Sequence, residues 1–128
     1  GGLIYNTYPT MNGEWVPNGM FSLHPLWLNL VENITLVQFL HRWVAVAVVA
    51  GFALWMWKYA RAIKHTNLFP MLLAIIAVIA LQFTLGVLTL LHQVPLALAL
   101  KHQMTGLALF GLSVAALHGL RHSTQHVP

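Results

Sequence analysis

The chain has 128 residues, 59% of them apolar and only 6% charged, with a net charge of +4 from six Lys/Arg against Glu14 and Glu32. A soluble domain carries about 25% charged residues, so composition excludes an ordinary water-facing domain and points to a membrane-embedded one. The basic excess then reports orientation rather than nucleic-acid binding, and the lack of cysteine excludes disulfides and thiolate-held metal clusters while leaving the redox compartment unread.

The N-terminus, Gly1-Gly2-Leu3-Ile4-Tyr5, carries no initiator Met, basic n-region or cleavage site. It does not read as a signal peptide, and the expectation is a fragment of a longer chain. Residues 1–34 are polar and turn-rich, punctuated by Asn6, Pro9, Asn12-Gly13, Pro17-Asn18-Gly19 and Pro25. Trp15, Phe21 and Trp27 are spaced among the turns as in an interfacial loop. An ordered outer loop is expected here, with a short helix near Leu26–Val31.

Three apolar runs follow. The first spans Leu36 to Trp57, and Thr35 with Gln38 fits a capping box at its head. Trp55, Trp57 and Tyr59 form an aromatic belt at its far end, followed by Lys58, Arg61 and Lys64. The second spans Pro70 to Leu91, with proline suited to a first turn. The third spans Leu98 to Leu120 and is closed by Arg121 and His122. Each has roughly 20 residues, enough at about 1.5 Å per residue to cross a hydrocarbon core of about 30 Å. The fold class is therefore all-α, a polytopic membrane protein with transmembrane helices over about 35–62, 70–92 and 98–122. Lys58, Arg61, Lys64 and Arg121 put the 58–69 loop and the C-terminus on the cytoplasmic or matrix side, and residues 1–34 outside.

Spacing then becomes chemistry. His41 lies near the start of the first helix and His102 near the start of the third, and these two helices run the same way. Both imidazoles therefore fall near the outer interface, within about a turn of one depth. An ionisable residue inside a membrane segment is a functional candidate by default. Two imidazoles facing each other across a bundle are what a six-coordinate haem iron needs. Ala45 and Gly106 lie four residues beyond each histidine, small enough to let a flat macrocycle lie against the backbone. Arg42 and Lys101 adjoin the histidines at the polar rim, where haem propionates could pair with them. Helix two offers Gln82-x-x-x-Gly86 and Thr89, a small and polar stripe suited to close packing.

Plainer readings stand beside these. Either histidine alone would be an interfacial residue that snorkels. Gln38 is a cap partner of Thr35 or a polar group one turn above His41, over the haem edge. His24 and His92 are rival outer-side ligands, although His92 follows the last apolar residue of its helix and should face water. His118, His122 and His126 recur every four residues and could chelate a metal at the inner end if the helix continues, but cations also suit a helix C-terminus. His118 lies about 24 Å from His102 along the helix and cannot share its iron.

The ordered set Gly2-Leu3-Ile4-Tyr5-Asn6-Thr7-Tyr8-Pro9-x-Met11, Trp15-Val16-Pro17, Glu32-Asn33, Val37-Gln38-Phe39-x-His41-Arg42, Gln82-x-x-x-Gly86-x-x-Thr89-Leu90 and His102-Gln103 resembles haem A synthase. The likeness is to the C-terminal half of the proteobacterial and mitochondrial branch, and it covers nearly the whole chain. It implies an eight-helix membrane enzyme of two similar four-helix halves, oxidising a methyl group of haem O to the formyl group of haem A for terminal oxidases. The C-terminal half of that family holds haem b through two histidines, matching His41 and His102. Its N-terminal half holds the substrate haem, with a functionally important Glu one turn before the first-helix histidine. Gln38 stands at the corresponding place here, and a neutral amide cannot act as a general base. No catalytic residue is therefore expected in this chain, which would be inactive alone. Lys101 stands where the family often has a small hydroxyl residue, and the paired loop cysteines of some branches are absent.

The resemblance implies that this chain covers helices six to eight of eight, in the bacterial or mitochondrial inner membrane. Its partners would be membrane lipid, haem and the missing N-terminal half, with haem O synthase or terminal-oxidase assembly factors as further candidates and no nucleic acid. Two competing classes are a stand-alone bis-histidine haem b electron carrier or respiratory-complex membrane anchor, and a structural bundle without a cofactor whose histidines only hydrogen-bond.

Overall fold

The computed structural model describes residues 4–66 and 69–123, the last four by their backbone alone. An irregular N-terminal segment leads into three long helices, α1 (Ile34–Ile63), α2 (Phe69–Leu91) and α3 (Leu96–Ser123). They coincide with the helices expected over about 35–62, 70–92 and 98–122, with bounds shifted by one or two residues. Two of them, α1 and α2, are long and apolar enough to cross a membrane.

The N-terminal segment is held by its polar side chains. Asn12 and Gly13 have φ of 54° and 92°, and Met11 and Glu14 exchange both backbone hydrogen bonds across them. Positive φ at both central residues is the hairpin turn that Asn-Gly favours. Leu26–Leu30 forms a 3₁₀ helix, close to the expected short helix. Asn29 is fully buried and bonds the backbone of Leu23 at both ends, the Leu26 carbonyl, and the Asn33 amide.

The start of α1 corrects the capping expectation. The N-cap is Asn33, whose Oδ1 accepts from the backbone N–H of Thr35 and Leu36. Its Nδ2 donates to Gly19 O, Ser22 Oγ and Asn29 Oδ1, so one side chain both caps the helix and ties it to the loop. An Asn at this position satisfies N–H groups that the helix cannot. Thr35 is left inside the first turn, where its hydroxyl meets Tyr5 OH instead.

The helices α2 and α3 pack along one another, whereas α1 makes far fewer contacts with α2 and shares a buried cluster with both near its C-terminal end. There Met56 of α1, Leu72 and Ile75 of α2 and Ala116 of α3 form the buried cluster, flanked by Phe52, Ile79, Leu109 and Leu112. Toward the N-terminal end of α1 a cavity lies between it and the other two helices. Large apolar side chains point outward elsewhere, among them Trp57, which is 82% exposed, and Met104, Leu107 and Phe110 of α3. A water-facing surface this apolar would be anomalous for a soluble monomer. Bilayer, or other apolar helices, is the environment it fits.

Candidate functional site

The cavity has a volume of about 610 Å³ and is walled by apolar residues of α1 and α2 such as Val37, Val49, Ile79, Phe83 and Val87. Sites for cofactor-sized molecules typically run from about 300 to 1,000 Å³, mostly apolar with few polar groups. The polar groups here include His41, His102, Gln38, Gln82 and Arg42.

His41 and His102 both line this space and stand edge to face, ring centres 6.4 Å apart and planes at 78°. The outer ends of α1 and α3 thus bring the two imidazoles to one depth. A metal–imidazole bond of about 2 Å puts each ring centre about 3 Å from the metal, so an ion shared by two opposed rings would hold their centres roughly 6 Å apart.

His102 is the better fixed of the two. Its Nδ1 lies 3.1 Å from the carbonyl oxygen of Gln82. A carbonyl only accepts, so Nδ1 carries the proton and Nε2 keeps its lone pair, the tautomer a metal ligand requires. The ring fits because residue 86 is glycine: a Cβ there would stand 2.9 Å from His102 Cε1. A mirror arrangement follows one turn away. A Cβ at Gly106 would stand 2.9 Å from Gln82 Nε2. Each helix thus offers a glycine to the side chain that lies four residues from the other helix's glycine. Among the described residues no hydrogen bond reaches the His41 ring, which is exposed and lines the cavity.

The other candidates separate cleanly. Ala45, one turn beyond His41, lines the cavity as its spacing predicts. Gly106 does not line it but receives the Gln82 amide. Lys101 is exposed and lies off the cavity, because one residue along a helix turns a side chain by about 100° from His102. Gln38 lines the cavity, yet its Nε2 donates 2.9 Å to Tyr5 O rather than back to the helix start. Its Oε1, like that of Gln82, is buried with no partner among the described residues. Arg42 lines the cavity too, but its guanidinium donates to three backbone carbonyls, those of Tyr5, Thr7 and Thr10.

His24 and His92 are exposed and neither lines the cavity; His92 Nδ1 bonds Leu88 O at 2.8 Å. Of the inner histidines, His126 lies outside the described residues, as does the side chain of His122. No group of three or more metal-ligating side chains occurs among the described residues. Tyr8, Glu32 and Gly86 also line the cavity, and their distance from the histidines in sequence hid them as wall residues.

The donor set suits haem. Two imidazoles reach the cavity, one with its Nδ1 engaged by a carbonyl so that its Nε2 is left to bind, and Gly86 leaves the gap that ring occupies. Unpartnered buried Gln38 Oε1 and Gln82 Oε1 belong to side chains in the same wall.

A family model described as cytochrome oxidase assembly protein, COX15-CtaA, matches residues 1–114. The haem A synthase of Wolbachia pipientis wMel is 40% identical over 123 residues, 96% of this chain and 33% of that protein. That of Rhizobium rhizogenes strain K84 is 41% identical over 118 residues, 92% of this chain and 32% of the relative. That of Bartonella tribocorum is 40% identical over 114 residues, covering 89% and 32%. The chain spans about a third of the length of the curated relatives it matches. No solved structure matches it. With the family model covering most of its length, and such relatives aligned along nearly all of it, the chain belongs to the haem A synthase family of cytochrome oxidase assembly proteins, COX15-CtaA.

Proposed function

We propose that this chain is the haem b-binding half of a haem A synthase, and that His41 and His102 are the two axial ligands of that haem. One observation carries the reading: two imidazoles from separate helices, 6.4 Å apart and both lining a cofactor-sized cavity, in a member of this family. When bound, the haem would supply one-electron transfer in support of the oxidation of haem O to haem A by the longer protein.

The residues of this chain serve binding and exclusion. The Gln82 carbonyl orients His102 and keeps its Nε2 available, while the gap at Gly86 fixes the plane of the ring. Ala45 and Val49 keep the wall beside His41 apolar, and Ile79 and Leu109 continue that apolar lining. Gln38 is held by Tyr5 O and has no titratable group, so it contributes polarity at the cavity edge and no proton transfer. In this reading α3 is a third membrane span and residues 1–34 lie on the outer side of the inner membrane, with Lys58, Arg61 and Lys64 inside.

The test is a reduced-minus-oxidised optical spectrum of the full-length protein beside His41→Ala and His102→Ala. A low-spin b-type spectrum that turns high-spin or fades in both variants is expected. A full-length protein that binds no second haem, or one whose spectrum ignores both substitutions, overturns the assignment.

A further inference from the structure

The chain's own N-terminal segment bridges α1 and α2 beside the cavity and contributes Tyr8 to its lining. Residues 5–10 leave α1, where Tyr5 OH meets Thr35 Oγ1 at 3.2 Å, and reach α2, where the Tyr8 ring stands edge-on to Phe83 with centres 6.0 Å apart. Both Tyr8 and Phe83 line the cavity. The segment is braced internally: Thr7 Oγ1 donates to Thr10 O at 2.8 Å and accepts from the Asn12 amide at 2.7 Å.

Its attachment to α1 is made almost wholly by two side chains. Arg42 NH1 donates to Thr7 O at 2.7 Å and Thr10 O at 2.9 Å, and NH2 donates to Tyr5 O at 2.8 Å. Gln38 Nε2 adds a second bond to Tyr5 O. A guanidinium has five N–H donors in a rigid fork. Bonds to three carbonyls go to this segment, and Nε is buried without a partner among the described residues. A residue whose neighbour is a candidate iron ligand is thereby turned toward the loop.

We propose that Arg42 is a positioning residue that straps residues 5–10 beside the His41/His102 cavity, so that Tyr8, seated on Phe83, covers it and shields what it holds from water. The occupant of the cavity rests on the haem proposal above; the strap does not. Because the acceptors are backbone carbonyls, the fastening depends on the conformation of the segment and on the fork of Arg42, with little dependence on the segment's side chains. The side chain that matters for the seal is Tyr8.

The experiment uses the full-length protein with Arg42→Gln, Arg42→Lys and Tyr8→Ala. Amide hydrogen exchange is read at residues 5–12, and the rate at which aqueous dithionite reduces the bound haem is read optically. Loss of charge-assisted bonds of this kind should speed exchange at Met11 and Asn12 about tenfold or more in Arg42→Gln, with Arg42→Lys in between. Arg42→Gln and Tyr8→Ala should both quicken reduction several-fold while the low-spin spectrum persists. Unchanged exchange in Arg42→Gln, or haem lost from Arg42→Gln with Tyr8→Ala behaving as wild type, overturns the strap and makes Arg42 a direct partner of the cofactor. If the wild type binds no haem at the histidines, the proposed function fails while the exchange data still decide the strap. Should Arg42→Gln not fold, Arg42→Lys and Tyr8→Ala give the same decision.

Discussion

His102 and Gly86 interlock: the imidazole of α3 occupies the place where a side chain on α2 would begin, with Cε1 2.9 Å from an ideal Cβ at residue 86. The same ring gives its Nδ1 proton to Gln82 O one turn earlier on α2. Contact and hydrogen bond together fix one of the two candidate iron ligands before any cofactor arrives.

Gly86→Ala therefore has to move the ring, which is not the flexible tip of a long side chain. We expect a loss of about 1–3 kcal/mol in stability from overpacking, and a shift of the haem spectrum toward high spin as His102 leaves its carbonyl. Thermal unfolding in detergent, read beside the optical spectrum, tests both. Wild-type values for both would mean that the ring has room to spare.

Gly106→Ala should behave differently. The atom it meets is Nε2 of Gln82, the far end of a flexible side chain, at 2.9 Å. The amide can swing aside, and replacing glycine by alanine inside a helix returns up to about 1 kcal/mol of propensity. Near-neutral stability and an unaltered spectrum are expected, so this pair of substitutions separates a tight helix crossing from a ligand-positioning gap.

At the head of α1, Asn33→Ala removes the cap of two backbone N–H groups and three bonds to the outer loop. A destabilisation of about 2 kcal/mol or more is expected from cap and buried partners together. Thr35→Ala removes only the meeting of its hydroxyl with Tyr5 and should cost a fraction of that. Equal losses in the two variants, measured by denaturant unfolding, would restore the capping box that the sequence suggests.

His24→Ala and His92→Ala should leave the haem spectrum as it is, since both residues are exposed and off the cavity. Spectral change in either variant would replace one member of the His41/His102 pair.

The three helices were legible because roughly 20-residue apolar runs bounded by loops leave few alternatives. The depth of His41 and His102 was legible too, since rise per residue and chain direction determine it. Azimuth was harder to read. Lys101 lies at the right depth on the wrong side of α3, and Gly106 shares a face with His102 yet opens toward Gln82. Which flank of a helix meets which neighbour depends on packing that no single run of residues encodes. The cap was misread for a related cause: Asn33 and Thr35 both precede the apolar run, and only the loop fold, with Asn29 and Gly19 arriving at Asn33, selects between them. Arg42 likewise has a nearby anion-binding role in sequence, whereas its partners, Tyr5, Thr7 and Thr10, lie more than thirty residues away.

Because α1 meets α2 and α3 in the Met56, Leu72, Ile75 and Ala116 cluster and is parted from them by the cavity nearer His41, that cluster is placed to act as a fulcrum for the distance between the two imidazoles. Met56 is fifteen residues along α1 from His41, a lever arm of about 22 Å, over which a tilt of about 5° carries the ring about 2 Å. Coordination tolerates only about 0.2 Å. A methyl group gained or lost at Met56 or Ala116 would thus be amplified at the proposed ligand pair, so that the apolar cluster at one end of the bundle sets the gauge of the other.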